Sequence, residues 1–208
     1  MKYKYIFAMD PSGNWNEGKG TTGWVLMDGH ENLLERGYIS AKQYECPEAY
    51  WQSHLDLIRK YNRLYEGQLI IVIEDYILYR ERSREQTNSR METCRLLGLM
   101  QWYCWKLKQP YSIQMASTIK HRWSDELLIR EHIVYRNNKD IIHTESGLSL
   151  GLIHTRDAFR HALHYAVCRN GGHRVYPKPK IYKKVSKGYF ITDNYGDKDY
   201  DDENLHNY

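Results

Sequence analysis

The sequence predicts an α/β fold in which a mixed five-stranded sheet is flanked by helices. Three observations predict it: strand-like segments separated only by turns open the chain, a continuous apolar segment follows the first helix, and helical and extended segments alternate after it. The chain has 208 residues, of which 41% are hydrophobic. This length suits one α/β domain with a tail and is sufficient to bury a core.

The N-terminal part of the chain reads as an antiparallel meander followed by a helix. The strands are predicted at residues 3–10, about 22–28 and about 34–40. Turn residues lie between them at 18–20 and 28–32. Pro47 then suits the first turn of a helix that continues to about residue 65 with an apolar stripe.

The rest of the chain alternates between strands and helices. Residues 68–74 form a continuous apolar segment, typical of a strand that is covered on both faces. The later elements are predicted as a charged loop at 75–86, a helix at about 87–108, a strand at 111–115, a helix at 124–136, a polar loop at 137–147 and a helix at about 150–168. The order βββαβαβα resembles the ribonuclease H-like arrangement, in which the first and fourth strands lie side by side.

Four side chains that can bind a hard metal ion occupy positions that this topology brings together. Asp10 and Glu74 each close an apolar strand, and His154 and Asp157 are spaced i, i+3, so they share one helix face. Each has a simpler explanation on its own: a carboxylate after a strand is often a turn or cap residue, and Asp157 has Arg156 and Arg160 as possible partners. Together, in this order, they predict one divalent-cation cluster.

Mg²⁺ prefers carboxylate oxygens, and Mn²⁺ is expected to substitute for it. A site with two ions roughly 3.5–4 Å apart serves phosphodiester hydrolysis. Asp10 is predicted to bridge the ions, Glu74 and Asp157 each to hold one, and His154 to complete one shell. His161 lies about 10 Å from His154 along the helix, too far for the same ion, so His161 and His164 are predicted to be surface or packing residues.

Ordered motifs across residues 5 to 167 resemble the RuvC-like Holliday junction resolvases, within the ribonuclease H-like superfamily. The motifs are Met9-Asp10-Pro11-Ser12-Gly13, Thr22-Gly23-Trp24, Ile73-Glu74-Asp75-Tyr76, Leu97-Gly98-Leu99, Ser117-Thr118-Ile119-Lys120 and His154-Thr155-Arg156-Asp157-Ala158. The resemblance implies that Asp10, Glu74, His154 and Asp157 are the metal-binding and catalytic tetrad. It also implies that Lys120 lies near the scissile phosphate; the alternative is a plain surface lysine.

The chain departs from the family pattern at two places. Residues 14–19 enlarge the first turn, and the segments beyond 170 have no clear counterpart, which together suggest a phage-type variant. We predict a nuclease domain at 1–170, a basic extended arm at 171–192 and a disordered acidic tail at 193–208. The tail sums to −5 although the whole chain carries +4, so the preceding residues sum to +9. A basic body suits a polyanionic partner.

The loop after Glu74 predicts contacts with branched DNA. It contains Tyr76, Arg80, Arg82 and Arg84, and arginines near phosphates with a tyrosine that stacks on unpaired bases suit such a substrate. Lys120 is predicted to contact the DNA as well. The alternative for the loop is a solvated segment with partly buried tyrosines.

A four-way junction is two-fold symmetric, so a resolvase that cuts it twice is expected to be a homodimer. The predicted helix at 87–108 carries apolar residues around more than one face. One face suits the core and the other a dimer contact, although core packing on both faces is the alternative.

The predicted function is therefore a Mg²⁺-dependent endodeoxyribonuclease that resolves Holliday junctions or other branched DNA. The alternatives are a ribonuclease H-like nuclease for flaps, forks or RNA–DNA hybrids, and a non-catalytic DNA-binding module. The four cysteines form no CxxC pair, which argues against a structural zinc site. No apolar run approaches the ~20 residues of a membrane span, so we expect a cytoplasmic protein of a bacterium or a phage-infected cell.

Overall fold

The computed structural model describes residues 1–16, 18–76 and 91–171, and the backbone of two further strands at 181–185 and 188–192. The strands are β1 Tyr5–Asp10, β2 Thr21–Asp28, β3 Leu33–Ser40, β4 Leu69–Asp75, β5 Tyr111–Met115, β6 Val134–Asn137, β7 Asp140–His143, β8 Ile181–Val185 and β9 Gly188–Thr192. The helices are α1 Pro47–Leu64, α2 Glu92–Lys106, α3 Ala116–Arg122, α4 Asp125–Arg130 and α5 Ile153–Cys168.

Five strands form the central sheet in the order β3-β2-β1-β4-β5. β1 pairs antiparallel with β2 and β2 antiparallel with β3, whereas β4 runs parallel to both β1 and β5. The mixed five-stranded sheet that the sequence predicts is confirmed. β1 and β4, whose last residues include Asp10 and Glu74, are neighbours in the sheet.

The two faces of the sheet are covered by different helices. Because successive strand residues point to opposite faces, the odd-numbered residues of β1 and β4 pack in one core cluster with α1 and α2. Helix α5 lies across β1, β2 and β4 on the other face. Asp10 and Glu74 have even numbers, so they project towards α5, which carries His154 and Asp157. The alternation within two buried strands therefore selects the face on which the site forms.

Close contact between α5 and the sheet depends on small residues on both sides. Ala158, Ala162 and Ala166 are fully buried on α5, as their i+4 spacing predicts. On the sheet, Gly23 of β2 lies opposite Asp10 in the ladder. A Cβ atom on Gly23 would overlap the backbone at the start of α5, at His154 and Thr155. Gly23 thus lets the first turn of α5 reach the end of β1.

Replacement of Gly23 by alanine is expected to lower the free energy of unfolding by about 1–3 kcal/mol, because an added methyl group must displace the backbone of α5. Gly98→Ala is the matched control, since no atom lies within 4 Å of a Cβ there and it lies within a helix. We expect Gly98→Ala to raise stability by about 0.5–1 kcal/mol. Urea unfolding of the two variants measures both effects; equal stability of Gly23→Ala and the unmodified protein would contradict the close approach.

The helix predicted at 124–136 is wrong beyond residue 130. Helix α4 ends at Arg130, and His132 adopts a left-handed backbone with φ of 57°, which stops the helix. The chain then forms an antiparallel hairpin of β6 and β7, joined by a two-residue turn with Asn138 at φ of 55°. This hairpin also replaces much of the polar loop predicted at 137–147. Ile133, Val134 and Ile141 are buried in it, which explains why β structure prevails there.

Other boundaries differ by smaller amounts. α3 follows β5 without a break and was not predicted, and α5 begins at Ile153 rather than near residue 150. Residues 87–90 of the helix predicted at 87–108 lie outside the described residues, and the described part, α2, ends at Lys106. Within the described part of the chain, no helix combines the length and apolar character of a membrane span.

The chain divides into two units, residues 1–175 and 176–208. In the second unit β8 and β9 pair antiparallel. The boundaries predicted for the basic arm and the acidic tail remain predictions, and residues 193–208 lie outside the described residues.

Candidate metal centre

Three carboxylates meet at one edge of the sheet. Asp10, Glu74 and Asp157 each place an oxygen within 4.8 Å of the others. Asp10 ends β1 and Glu74 lies near the end of the parallel strand β4, while Asp157 faces them from the second turn of α5. All three residues are at most 8% exposed. The structure thus brings together three of the four predicted metal ligands.

The fourth predicted ligand, His154, lies beside this carboxylate cluster. Its Nδ1 atom is 2.7 Å from Oδ2 of Asp10. The hydrogen bond to Asp10 raises the pKa of His154 and outweighs the effect of partial burial. His154 thus contacts the carboxylate that is predicted to bridge two ions.

Lys120 on α3 reaches two of the three carboxylates. Its Nζ atom lies 2.9 Å from Oε1 of Glu74 and 2.9 Å from Oδ2 of Asp157. Partial burial lowers the pKa of Lys120, but the contacts with Asp157 and Glu74 raise this pKa by a larger amount, so the net shift is upward. Lys120 therefore carries a fixed positive charge at the cluster, and its side chain is still 38% exposed.

A second cation holds Asp157 from the opposite side. Arg160, one helical turn along α5, pairs with Oδ1 of Asp157. The same guanidinium donates to Oδ1 of Asp125 at 2.6 Å, and Arg156 donates to Oδ2 of Asp125 at 3.1 Å. Of the two arginine partners that the sequence offers for Asp157, the structure selects Arg160. Asp125 orients this arginine, so the rotamer of Asp157 is fixed from two sides.

Burial dominates the electrostatics of Asp10. Desolvation raises its pKa to about 6; the hydrogen bond with His154 opposes this shift and the nearby charge of Glu74 adds to it. A folded-state pKa above the ordinary value of 3.8 means that the folded protein favours protonated Asp10. The corresponding stability is fully present below about pH 4 and is lost as the pH rises through about 6.

Asp10→Asn is therefore expected to raise the melting temperature of the metal-free protein at pH 8. A shift from 3.8 to about 6 corresponds to about 2–3 kcal/mol, or roughly 4–12 °C for a chain of this size. The difference should vanish near pH 4, where the carboxyl group is neutral in the folded state. Thermal unfolding in the presence of a chelator, at both pH values, measures it.

Added Mn²⁺ provides an internal control for this prediction. It should raise the melting temperature of the unmodified protein more than that of Asp10→Asn, because a ligand stabilises only the state that binds it. A lower melting temperature of Asp10→Asn at pH 8 would contradict the assignment of Asp10 as a strained, buried carboxylate.

The side chains at this cluster fit a hard divalent cation. Three buried carboxylates share two fixed cations among the described residues, Lys120 and Arg160, so negative charge is left over in a buried place. Carboxylate oxygens are the ligands that Mg²⁺ and Mn²⁺ prefer, and the imidazole of His154 lies beside them.

Of the two roles predicted for His161, surface or packing, the structure supports packing and adds a contact with Glu74. The residue is fully buried, and its Nε2 atom lies 3.1 Å from Oε2 of Glu74. Its distance from His154 along the helix does not matter, because Glu74 approaches from the sheet. The i+4 spacing of His161 from Asp157 was the available signal, since it puts both side chains on the helix face that meets the carboxylates. His164, by contrast, packs with its Nδ1 atom 3.2 Å from the indole nitrogen of Trp123.

The structure describes only part of the predicted DNA-binding set. Tyr76 is half-buried and packs against the core cluster of α1 and α2. Arg80, Arg82 and Arg84 lie outside the described residues. Their contacts with DNA remain predictions.

Comparison with solved structures shows the same fold in RuvC. RuvC of Thermus thermophilus in complex with a Holliday junction substrate has a TM-score of 0.56 and 14% sequence identity, and the match covers 81% of this chain and 97% of that one. The Thermus thermophilus RuvC structure has a TM-score of 0.53 and 15% identity, covering 80% and 96%. No protein-family model and no curated protein matches the sequence. The ribonuclease H-like fold predicted from the element order is confirmed.

Proposed function

We propose that this chain, which has the fold of RuvC, is a divalent-metal-dependent endonuclease that resolves Holliday junctions or other branched DNA. The observation that carries the proposal is the meeting of Asp10, Glu74 and Asp157 within 4.8 Å at one edge of the sheet. A protein that only binds DNA has no need of three buried carboxylates in one place, because their burial is costly without a cation.

The proposed reaction is hydrolysis of a phosphodiester bond by an in-line water. The oxygen of water forms a bond to phosphorus while the bond from phosphorus to the 3′-oxygen breaks, which yields 5′-phosphate and 3′-hydroxyl ends. Two Mg²⁺ ions, for which Mn²⁺ can substitute, would activate the attacking water and stabilise the leaving oxygen. Asp10, Glu74, Asp157 and His154 are the residues that would hold them.

Other side chains at the cluster would orient the metal ligands and neutralise the negative charge of the phosphate. Arg160 keeps the Asp157 carboxylate in one rotamer, with Asp125 supporting it from behind. Lys120 retains its proton, so it would act as a point charge beside the phosphate rather than as a base. Its partial exposure leaves the ammonium group accessible to a DNA strand.

Branched DNA is the proposed substrate because of both charge and fold. The residues before the acidic tail carry an excess of positive charge. A solved RuvC structure of the same fold is bound to a Holliday junction substrate. The phage type and the cytoplasmic location remain predictions.

A panel of matched substrates tests the choice of substrate. A four-way junction, a fork, a flap and an RNA–DNA hybrid of the same sequence should be incubated with the full-length protein and Mn²⁺. We expect the junction to be cut fastest, by two symmetric incisions. Equal or faster cutting of the hybrid would favour a ribonuclease H activity, and absence of cutting on every substrate would favour a non-catalytic DNA-binding module.

We further propose that α2 forms the contact of a homodimer. Trp102 and Trp105 on this helix are 50% and 67% exposed, whereas Leu96 and Met100 of the same helix are fully buried. Exposed tryptophans are rare outside interfaces, because they bury large apolar area when a partner covers them. Two copies would present two equivalent sites to a two-fold symmetric junction.

Trp105→Lys is therefore expected to convert a dimer into a monomer in light-scattering measurements on the full-length chain. The variant should nick junctions singly instead of making paired incisions. Tyr135→Lys is the control, because Tyr135 is a 44% exposed aromatic residue on β6 and away from α2. A Trp105→Lys variant that stays dimeric would exclude this face.

A further inference from the structure

His161 occupies a position between two strands that the proposed reaction does not use. Gln114 of β5 and Glu74 of β4 are partners in the parallel ladder and point to the same face. From α5 above them, the His161 ring places Nδ1 2.8 Å from Oε1 of Gln114 and Nε2 3.1 Å from Oε2 of Glu74. One fully buried imidazole thus spans the two neighbouring side chains.

The two oxygens of the Glu74 carboxylate face different neighbours. Its Oε1 atom faces the cluster, where Lys120 contacts it at 2.9 Å. Its Oε2 atom faces away from Lys120, towards the ring of His161. Within the described residues, neither Oε2 nor Nε2 has a hydrogen bond of regular geometry, to the other or to any further atom. The two atoms lie 3.1 Å apart, so each is the available partner of the other.

We propose that His161 is a positioning residue of the metal centre: its Nε2–H holds Oε2 of Glu74 and leaves Oε1 as the one oxygen that Glu74 offers to a metal ion. The inference rests on the proposed function only in requiring that the cluster bind a divalent cation. Residues that orient a metal ligand by a hydrogen bond typically contribute 10- to 100-fold to metal affinity.

Gln114 supplies the reason why the proton is on Nε2. A carboxylate oxygen only accepts hydrogen bonds, so the ring nitrogen that faces Glu74 must carry the hydrogen. The amide group of glutamine has the same shape when rotated by half a turn. The structure has Oε1 of Gln114 at Nδ1; once the amide is rotated by half a turn, its NH₂ group donates to Nδ1 and the ring carries its hydrogen on Nε2.

Burial makes this contact effective. His161 has no exposed surface, and Glu74 is 8% exposed, so water does not compete for Oε2. Without the donor, Oε2 would remain buried and unpaired, and the carboxylate would rotate to satisfy it elsewhere. The lowered pKa of Glu74 agrees with this contact: burial raises the pKa, but the contacts with His161 and Lys120 lower it by more.

The test compares two amides that differ by one methylene group. In His161→Gln the amide nitrogen reaches the position of Nε2, whereas in His161→Asn it reaches only that of Nδ1. Mn²⁺ binding to the full-length protein, measured by titration calorimetry at one pH, is the readout. We expect His161→Asn and His161→Leu to bind Mn²⁺ about 10- to 100-fold more weakly, and His161→Gln to lose less than about tenfold.

His164→Leu is the matched control, because His164 lies one turn further along α5 and contacts Trp123 instead of the carboxylates. It should bind Mn²⁺ as the unmodified protein does. If His161→Leu fails to fold, the comparison of His161→Gln with His161→Asn still tests the positioning role, because both variants bury one amide group and differ only in its reach. Equal affinities of these two variants, or an unchanged affinity of His161→Leu, would overturn the inference.

The same titration separates this inference from the proposed function. A protein that binds Mn²⁺ with the expected order of variants but cuts no branched DNA would retain the positioning role of His161 and lose the nuclease. A protein that binds no Mn²⁺ at all would overturn both.

Discussion

Asp10→Asn is expected to reduce junction cleavage by roughly 1000-fold or more, which corresponds to a loss of about 4 kcal/mol of transition-state stabilisation. Asp10 ends β1 and belongs to the carboxylate cluster, and an amide cannot neutralise cations as a carboxylate does. Single-turnover cleavage of a labelled four-way junction in Mn²⁺ measures the effect. Junction binding, measured in Ca²⁺, should stay within about threefold of the unmodified protein, since phosphate contacts dominate DNA affinity.

Thermal unfolding of the same variant shows whether its loss of activity is caused by unfolding. The variant is expected to be more stable than the unmodified protein at pH 8, because its buried side chain is no longer ionised. Asp56→Asn is the control, since Asp56 is a half-exposed carboxylate on α1, on the other face of the sheet. Full activity of Asp10→Asn would remove the carboxylate cluster from the chemistry.

Lys120→Met is expected to slow cleavage by about 100- to 1000-fold, the typical effect of removing one group that stabilises developing charge. Mn²⁺ binding should change in the opposite direction. Lys120 lies 2.9 Å from both Glu74 and Asp157, so its removal frees two carboxylates from a competing cation. Slower cleavage with equal or tighter Mn²⁺ binding is a combination that general destabilisation does not produce.

Lys60→Met provides the comparison for this prediction. Lys60 is a half-exposed lysine on α1 that contacts Glu35, far from the sheet face that carries the cluster. Its replacement should leave both cleavage and Mn²⁺ binding unchanged. If Lys120→Met also leaves the rate of cleavage unchanged, Lys120 is the plain surface lysine that the sequence equally allows.

The sheet and the carboxylate cluster were predictable because they depend on patterns that local sequence carries. Apolar segments ending in Asp10 and Glu74 mark two strand ends, and the element order makes those strands neighbours. The alternation of side chains along the two strands then places Asp10 and Glu74 on the same face of the sheet. Gly23 is explained by the close approach of α5.

The hairpin of β6 and β7 was not predictable in the same way. The segment from Ser124 onward begins as a helix with a side-chain cap, and its apolar residues fit a helical as well as an extended pattern. Tertiary packing decides between them: His143 packs edge-on against Phe159 of α5, and Leu150 is buried beside the hairpin. Such long-range contacts are not encoded in a window of neighbouring residues.

The contacts of His161 with Glu74 and of Arg160 with Asp125 were not predictable for a related reason. Both residues lie on the helix that carries Asp157, but their partners, Glu74 and Asp125, come from other elements. Spacing along one helix measures distances within that helix only. Pairing Gln114 with Glu74 across the parallel ladder requires the register, which only the structure supplies.

The central claim is that Asp10, Glu74, Asp157 and His154 hold divalent cations in one place. A crystal structure of the full-length protein soaked in Mn²⁺, with anomalous scattering recorded at the manganese edge, tests it most directly. We expect two manganese peaks roughly 3.5–4 Å apart, with these four side chains as the protein ligands and Oε1 of Glu74 among the ligand atoms. Manganese bound elsewhere, with none at the three carboxylates, would contradict it.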